Sequence, residues 1–450
     1  MLLLPPKIQE KRLPKSKLSR LAHLGAMASG VVGNMLVEGG KQWAQGKRPS
    51  LQDLLLTPSN ASRFADHLAN MRGAAMKVGQ LLSMDAGELM PEELSIILSR
   101  LRSQGKSMPL SQLVKQLEKN WGRDWQSQFS YFNWQPIAAA SIGQVHQATT
   151  KEGHSLAIKI QYIGINTSID SDVDNLASLL NLSKLIPQSV NLAPLLQEAK
   201  RQLHCETDYC HEAQCLEKYQ ACLGDDLRFL IPKVHSNWST QSILAMDFVQ
   251  ANPIESCVNE PQAKRDSIMS ALFELLFREI FQFKLVQTDP NFANYLYQSH
   301  TGKVVLLDFG ATRAYNDAIS QGYYQLIRGA IAQNKEEVEA AAHQIGFFSE
   351  QIEPQQKKAL LALFEQACEP MRSSQAYDFG TSDLAANIKD KSLALSMELN
   401  YWHTPPADAL FFHRKLGGLY LLAAKLKARV NVRAIFDQVS QTLPSSVSCL

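Results

Sequence analysis

Hydrophobic positions recur with two different periods along this 450-residue chain, and the changes of period mark its parts. Residues 21–105 read as helical: Leu54 to Leu56, Phe64, Leu68, Met71 and Ala75 recur at helical spacing, with Ser62 as a candidate cap. Leu110–Trp121 predicts a short amphipathic helix, and Trp125–Trp134 an aromatic connector. Ser155–Gln161 alternates as a strand ending in charge. Leu192, Leu195, Leu196, Ala199 and Leu203 predict one long helix over Asn191–Tyr219. Ser242–Val249 reads as another strand, Gln250–Pro253 as a turn and Ala263–Phe283 as a strongly apolar helix. The apolar run from Val304, bounded by Gly302 and Gly310, reads as a short buried strand. From Thr312 the pattern returns to helix until about residue 440.

Composition narrows the class. Hydrophobic residues make up 45% and charged residues 20%, an ordinary globular balance. A net charge of +2 gives no basic field for nucleic acid, so no nucleic-acid partner is expected. The seven cysteines include Cys205, Cys210, Cys215 and Cys222, which steps of five or more scatter around a helix; free thiols fit them better than a zinc site. No segment reaches the roughly 20 apolar residues of a membrane span. Leu21–Val37 comes nearest, interrupted by His23, Ser29 and Asn34. It follows Lys7, Lys11, Arg12, Lys15, Lys17 and Arg20, opposed by Glu10 alone. Two expectations stand for it: a membrane-surface element, with cations for anionic lipid, or a helix packed on its own domain.

The chemistry gathers at the end of the buried strand, which delivers Asp308-Phe309-Gly310. Asn294 stands fourteen residues before Asp308, and Asp289 five before Asn294. That is the spacing of a kinase catalytic loop and its metal-binding aspartate. Asp378-Phe379-Gly380 repeats the tripeptide, but no buried strand precedes it, and a loop without chemistry is expected there. Upstream, Ala138-x-Ala140-x-x-Gly143-x-Val145 matches a nucleotide-phosphate loop with two glycines replaced by alanine. Lys159 follows Val145 by fourteen residues, where the phosphate-holding strand lysine belongs. An alanine-rich hairpin alone says little; combined with Lys159, Asp289, Asn294 and Asp308 it says much. Glu206, Asp208 and Glu212 crowd seven residues of the long helix. On a continuous helix Asp208 and Glu212 share a face, which costs a few tenths of a kcal/mol unless a cation intervenes. Lys159 satisfies one acid. Lys77 and Gln80, one turn apart on an apolar helix, make a polar spot that could meet the others. The plainer alternatives are a snorkelling lysine and a solvated acidic face.

Together these residues resemble the UbiB/AarF family of atypical kinases, most closely the branch needed for coenzyme Q biosynthesis. The likeness rests on Lys77-Val-Gly-Gln80, Ala138-Ala-Ala-Ser141, Leu156-Ala-Ile-Lys159, Glu206-Thr-Asp208, Gln287-Thr-Asp289-Pro-Asn-Phe-Ala-Asn294, Asp308-Phe-Gly-Ala-Thr-Arg313 and His413-Arg-Lys-Leu-Gly-Gly418. It implies an α+β, two-lobed protein-kinase-like fold with an N-terminal helical extension. The expected parts are a basic arm (1–20), the extension (21–108), an N-lobe (109–250), a helical C-lobe (251–440) and a tail (441–450). It implies ATP and Mg²⁺ as cofactors, Asp289 and Lys159 as catalytic residues, and Asn294 and Asp308 as metal ligands. Nucleotide contacts are implied for Ala138, Ala139, Ala140, Ser141, Gly143, Val145, Lys159, Glu212, Met246 and Phe248. Lys77, Gln80, Glu206 and Asp208 would latch the extension across the site and keep peptides out.

The implied activity is ATP hydrolysis or phosphorylation of a small molecule or lipid in support of ubiquinone biosynthesis. The rival is a nucleotide-binding pseudokinase scaffold, against which Lys159, Asp289, Asn294 and Asp308 all count. Expected partners are a membrane lipid surface and quinone-biosynthesis enzymes or lipid intermediates, with a homodimer left open. Many bacterial members carry a pair of C-terminal membrane helices that this sequence lacks. Peripheral attachment is therefore expected, and because no mitochondrial presequence stands out the expectation is a bacterial cytoplasmic protein at the inner membrane, in preference to the mitochondrial matrix, although the basic arm leaves that open. Two departures from ordinary kinases stand out: Gln287-Thr288 replaces His-Arg before Asp289, and no Ala-Pro-Glu follows Asp308.

Overall fold

The computed structural model describes residues 73–74, 77–78, 107–140, 142–183, 192–399, 401 and 405–443. Leu21–Val37, the basic residues before it, Gln80 and Ser141 lie outside the described residues. The described chain opens with α1 (Leu110–Trp121), β1 (Phe129–Phe132), β2 (Ala138–Ala139), β3 (Gly143–Thr150) and β4 (Ser155–Gln161). Next come α2 (Ile165–Ser183), α3 (Leu192–Glu206), α4 (Tyr209–Leu223), β5 (Phe229–Leu230), β6 (Ile243–Asp247), β7 (Asn252–Pro253) and α5 (Gln262–Arg278). The strands β8 (Leu285–Gln287), β9 (Tyr295–Gln298), β10 (Lys303–Leu306) and β11 (Thr312–Ala314) follow. The chain then runs through α6 (Asp317–Ala332), α7 (Lys335–Ile345), α8 (Pro354–Ala367), α9 (Glu369–Arg372), β12 (Tyr377–Asp378), α10 (Leu384–Met397), α11 (Ala407–Lys425), β13 (Arg429–Val430) and α12 (Val432–Gln441). It divides into two compact units: residues up to Ala213 with Lys233–Phe248, and Gln214–Pro232 with Val249 onward.

The first unit is built on an antiparallel sheet in the order β1-β3-β4-β6, with β2 paired to β3. Residues two apart on a strand share a face. Leu156, Ile158 and Ile160 of β4 are therefore buried together, beside Ile243 and Ala245 of β6. α1 closes this core with Leu113 and Leu117, one turn apart, and Trp125, Phe129 and Phe132 complete it. Trp121, Trp134 and Trp238 pack against it.

The single helix expected over Asn191–Tyr219 is corrected to two, α3 and α4. Asp208 makes the break: its Oδ1 accepts the N–H groups of Cys210 (3.1 Å) and His211 (3.3 Å). An aspartate in this position satisfies N–H groups that the helix start leaves open, and it favours a non-helical backbone there. The break is also tied to the sheet, because Gln161 Nε2 donates to the Thr207 carbonyl at 2.7 Å.

In the second unit β10 runs parallel to β5 and antiparallel to β9, which pairs with β7. A separate ladder joins β8 to β11, with Gln287 opposite Thr312. It brings the approach to Asp289 alongside the residues that follow Asp308. α5 supplies the core with Met269, Leu272, Phe273, Leu276 and Phe277. Its end widens into a π-turn, Glu279–Phe283, closed by Lys284 in the left-handed region (φ 51°). The second tripeptide is not the expected loop. Asp378 lies in β12, paired with β13, and its carboxylate meets Arg429 at 3.0 Å. Phe379 is buried against Phe273 and Tyr420, so this copy packs and cross-links. Among the described residues no helix is long and apolar enough to cross a membrane.

Candidate active site

In the first unit β4 carries Lys159 and α4 carries Glu212. The Lys159 ammonium donates to both carboxylate oxygens of Glu212, at 2.8 and 2.9 Å. Glu212 is 1% exposed and Lys159 8%, and a buried charge persists only when paired. The Tyr209 ring lies 5.2 Å from the ammonium. Because α4 begins afresh at Tyr209, Glu212 sits in its first turn, where the helix dipole favours an anion.

The alanine-rich stretch is a hairpin: Ala138 opposes Val145, Ala139 opposes Gln144, and the Ala140 N–H donates to the Gly143 carbonyl at 2.9 Å. Val145 in turn opposes Lys159 in the β3–β4 register. Gly143 has a packing reason to be glycine. A Cβ there would overlap the Ile160 carbonyl oxygen and stand 2.9 Å from the Tyr209 hydroxyl. Met246 opposes Ala157 across the β4–β6 pair, and the Phe248 N–H donates to the Ser155 carbonyl at 2.9 Å. Lys77 forms an ion pair with Glu206, the two side chains 7% and 14% exposed. Asp208, expected beside Glu206 as a latch partner, caps α4 through its Oδ1.

The second unit gathers the remaining candidates. Asn294 Nδ2 donates to Asp289 Oδ2 at 3.0 Å, so the carboxylate and the amide five residues on are in direct contact. The Leu307 N–H donates to the Asn294 carbonyl at 2.9 Å, linking that loop to the approach to Asp308. Asp308 sits at φ 57°, a left-handed conformation uncommon outside glycine, and its Oδ1 accepts the Gly310 N–H at 3.2 Å.

Three residues of α11 approach this loop from far along the chain. Arg414 Nη2 donates to Asp289 Oδ1 at 3.1 Å. Lys415, 3% exposed, donates to the Gln287 carbonyl at 2.7 Å and meets Glu279, which is 0% exposed, at 3.2 Å. Gly418 lies against Pro290 so closely that a Cβ would overlap the proline Cβ. At the N-terminal end of α11, Asp408 accepts from Arg313 Nε and Nη2 at 2.9 and 2.6 Å. The sequence marks Arg414 and Lys415 as part of the His413–Gly418 stretch that carries the resemblance, without a role for either. Their partners lie 125 and 128 residues away, and no local spacing points to them.

A strand lysine gripped by a helix glutamate, with an Asp/Asn loop and an Asp-Phe-Gly turn, defines a kinase-like phosphotransferase. Residues 100–342 match the ABC1 atypical kinase-like domain. The chain belongs to the ABC1 family of atypical kinases, and the expected kinase-like α+β fold stands. It is 34% identical over 435 residues to the atypical kinase COQ8, mitochondrial, of Saccharomyces cerevisiae, covering 96% of this chain and 86% of that one. It is also 34% identical over 441 residues to the atypical kinase coq-8, mitochondrial, of Caenorhabditis elegans, covering 96% of this chain and 58% of that one. The chain thus spans less than two thirds of the worm protein. A solved Mycobacterium tuberculosis protein, in complex with erythromycin, shares the fold at a TM-score of 0.60 and 22% identity, covering 85% of this chain and 95% of that one. The expected bacterial inner-membrane placement is corrected by these relatives, since the yeast and worm proteins are mitochondrial.

Proposed function

We propose that the protein transfers the terminal phosphoryl group of Mg²⁺-bound ATP, to water or to a small or lipid hydroxyl, in support of coenzyme Q biosynthesis. The observation that carries this is the two-oxygen grip of Glu212 on Lys159. An ion pair of that kind orients the lysine toward nucleotide phosphates. Ala138, Ala139, Ala140, Gly143 and Val145 form the loop over those phosphates, with Met246 and Phe248 near the base; Ser141 is assigned to the phosphates from its place in the sequence alone. Asp308 and Asn294 offer a carboxylate and an amide oxygen, a donor set that suits a hard cation such as Mg²⁺. When bound, the cation neutralises charge developing on the transferred phosphoryl group. Asp289, held by Asn294 and Arg414, orients the attacking hydroxyl. Lys77 and Glu206 latch the extension and exclude peptides, which accords with the missing Ala-Pro-Glu segment. The basic N-terminal run would meet anionic lipid near quinone-biosynthesis enzymes.

The test is ATP turnover with Mg²⁺, with and without anionic vesicles, in the full chain and in two variants. Asp308→Asn is expected to abolish turnover and weaken Mg²⁺-dependent nucleotide binding, whereas Asp378→Asn changes neither. Equal losses in both variants would remove the assignment.

A further inference from the structure

Gln287 stands where ordinary kinases carry the histidine of His-Arg-Asp. Its side-chain Nε2 donates to two main-chain carbonyls, those of Asp289 and Asp308, each at 3.1 Å. One amide therefore ties the catalytic loop to the Asp-Phe-Gly turn. An amide can be turned end for end, and then its oxygen would face both carbonyls and repel them. Lys415 settles which way it points. An ammonium only donates, and Lys415 Nζ lies 3.1 Å from Gln287 Oε1 and 2.7 Å from the Gln287 carbonyl. The oxygen must face the lysine, so the NH₂ must face Asp289 and Asp308.

Glu279 keeps that ammonium charged in the interior. It meets Lys415 at 3.2 Å, accepts the Tyr219 hydroxyl at 2.7 Å and accepts the Gln287 main-chain N–H at 3.0 Å. Burial pushes the Glu279 carboxyl upward, with Lys415 pulling against it. Burial acts most strongly, to lower the Lys415 ammonium, but Glu279 and Tyr295 together outweigh it, so the net displacement is upward. The Tyr295 ring, 5.8 Å from the ammonium, covers another side. A buried ion pair adds little net stability, because desolvation of both charges offsets their attraction. A reason other than stability fits its presence: apart from the Tyr219 hydroxyl, the hydrogen bonds named for the pair all end on Gln287. Asp308, moreover, holds a left-handed backbone that persists only when its surroundings over-determine it.

Resting on the phosphoryl-transfer function proposed above, we infer that Lys415 and Glu279 are positioning residues. They fix the polarity of the Gln287 amide, and through it the spacing between the Asp289 loop and the Asp308 turn. Neither touches ATP or metal.

The experiment uses the full chain in three forms: Gln287→Leu, the neutral pair Lys415→Met with Glu279→Gln, and all three substitutions together. The amide that replaces the Glu279 carboxylate would still accept from Tyr219 and Gln287, so the neutral pair leaves no lone buried charge. Expected for each of the first two is a fall in kcat of roughly 10- to 100-fold, the scale of about 1 Å of misplacement. The Mg²⁺ concentration for half-maximal turnover should rise. Binding of ADP without Mg²⁺, which relies on Lys159 in the other unit, should stay within about twofold, a split that loss of folding would not produce. The triple form should be no slower than the worse parent, because the pair acts through Gln287. The inference is overturned if the neutral pair folds and turns over at the parent rate. Defects that multiply in the triple form overturn it too. Should the neutral pair not fold, Gln287→Leu decides, and parent-like kcat and Mg²⁺ dependence would end the proposal. If Asp308→Asn is itself active, the phosphoryl-transfer assignment has failed instead.

Discussion

Gly417 and Gly418 lie side by side in α11, and alanine should treat them in opposite ways. A Cβ on Gly417 meets nothing within 4 Å. A Cβ on Gly418 overlaps Pro290 Cβ and stands 3.2 Å from its Cγ and 3.6 Å from its Cα. Carbon atoms prefer about 3.5–4.0 Å, so the proline has to retreat by more than about 1 Å. Its ring is stiff and its Cα belongs to the catalytic loop, so no flexible side-chain end can yield. Replacing glycine by alanine inside a helix gains about 1 kcal/mol at either position. Overpacking at Gly418 alone costs about 1–3 kcal/mol. The gain is common to both, so the two variants should differ in stability by about 1–3 kcal/mol, Gly417→Ala being the more stable. Activity should separate them further. Pro290 adjoins Asp289, and a shift of about 1 Å there costs up to roughly 100-fold in turnover. Urea unfolding followed by circular dichroism, with Mg²⁺-ATP turnover, measures both. If Gly418→Ala matches Gly417→Ala in stability and rate, α11 does not bear on the catalytic loop as described.

Lys77→Ala, Glu206→Ala and the double variant should show a coupling of at least roughly 0.5 kcal/mol in stability, as residues in contact do; strictly additive effects would dissolve the latch. His413, stacked on Phe347 at 5.1 Å and edged by Phe364 and Tyr323, has its imidazole pushed down by burial to about 4. A depressed folded value means the unfolded chain binds the proton more readily, so this contribution is whole above about pH 6.5 and is lost as pH falls toward about 4. The loss is at most about 3 kcal/mol, discounted for the part of the ring that solvent reaches. His413→Leu should flatten the acid side of a stability-versus-pH curve, and identical slopes in parent and variant would refute this.

Strand β10 and the Asp308 turn are legible in the sequence because a buried strand needs an unbroken apolar run, and glycines bound this one. Lys159 is legible through its place fourteen residues after Val145, and its partner Glu212 through the kinase pattern of one helix glutamate for the strand lysine. The break between α3 and α4 is hidden because it is only two residues long, Thr207 and Asp208, and helix resumes at once at Tyr209. The signal present was Asp208 itself, a residue type favoured just outside a helix start. Ser374–Tyr377 hid β12, since a two-residue strand carries no period. Glu279 offered a faint sign, a lone acid inside Leu275–Phe283, where a buried carboxylate must find a cation. Which cation could not be read, because Lys415 lies 136 residues on and only the tertiary fold brings it back.

The aromatic packing around α1 makes the first unit its own optical reporter. Four of the chain's six tryptophans, Trp121, Trp125, Trp134 and Trp238, form one connected cluster with centroid separations of 5.6 to 5.9 Å. The other two, Trp43 and Trp402, lie outside the described residues. Indole emission is weighted toward the β1-β3-β4-β6 core, which holds four of the six tryptophans, while helical circular dichroism is weighted toward α5 to α12 of the second unit. Two denaturation curves recorded on one sample, weighted toward different units, therefore test cooperativity between them. Coincident midpoints would mean that the two melt as a single thermodynamic body, and separated ones that the Lys159 grip and the Asp289 loop are lost at different denaturant concentrations.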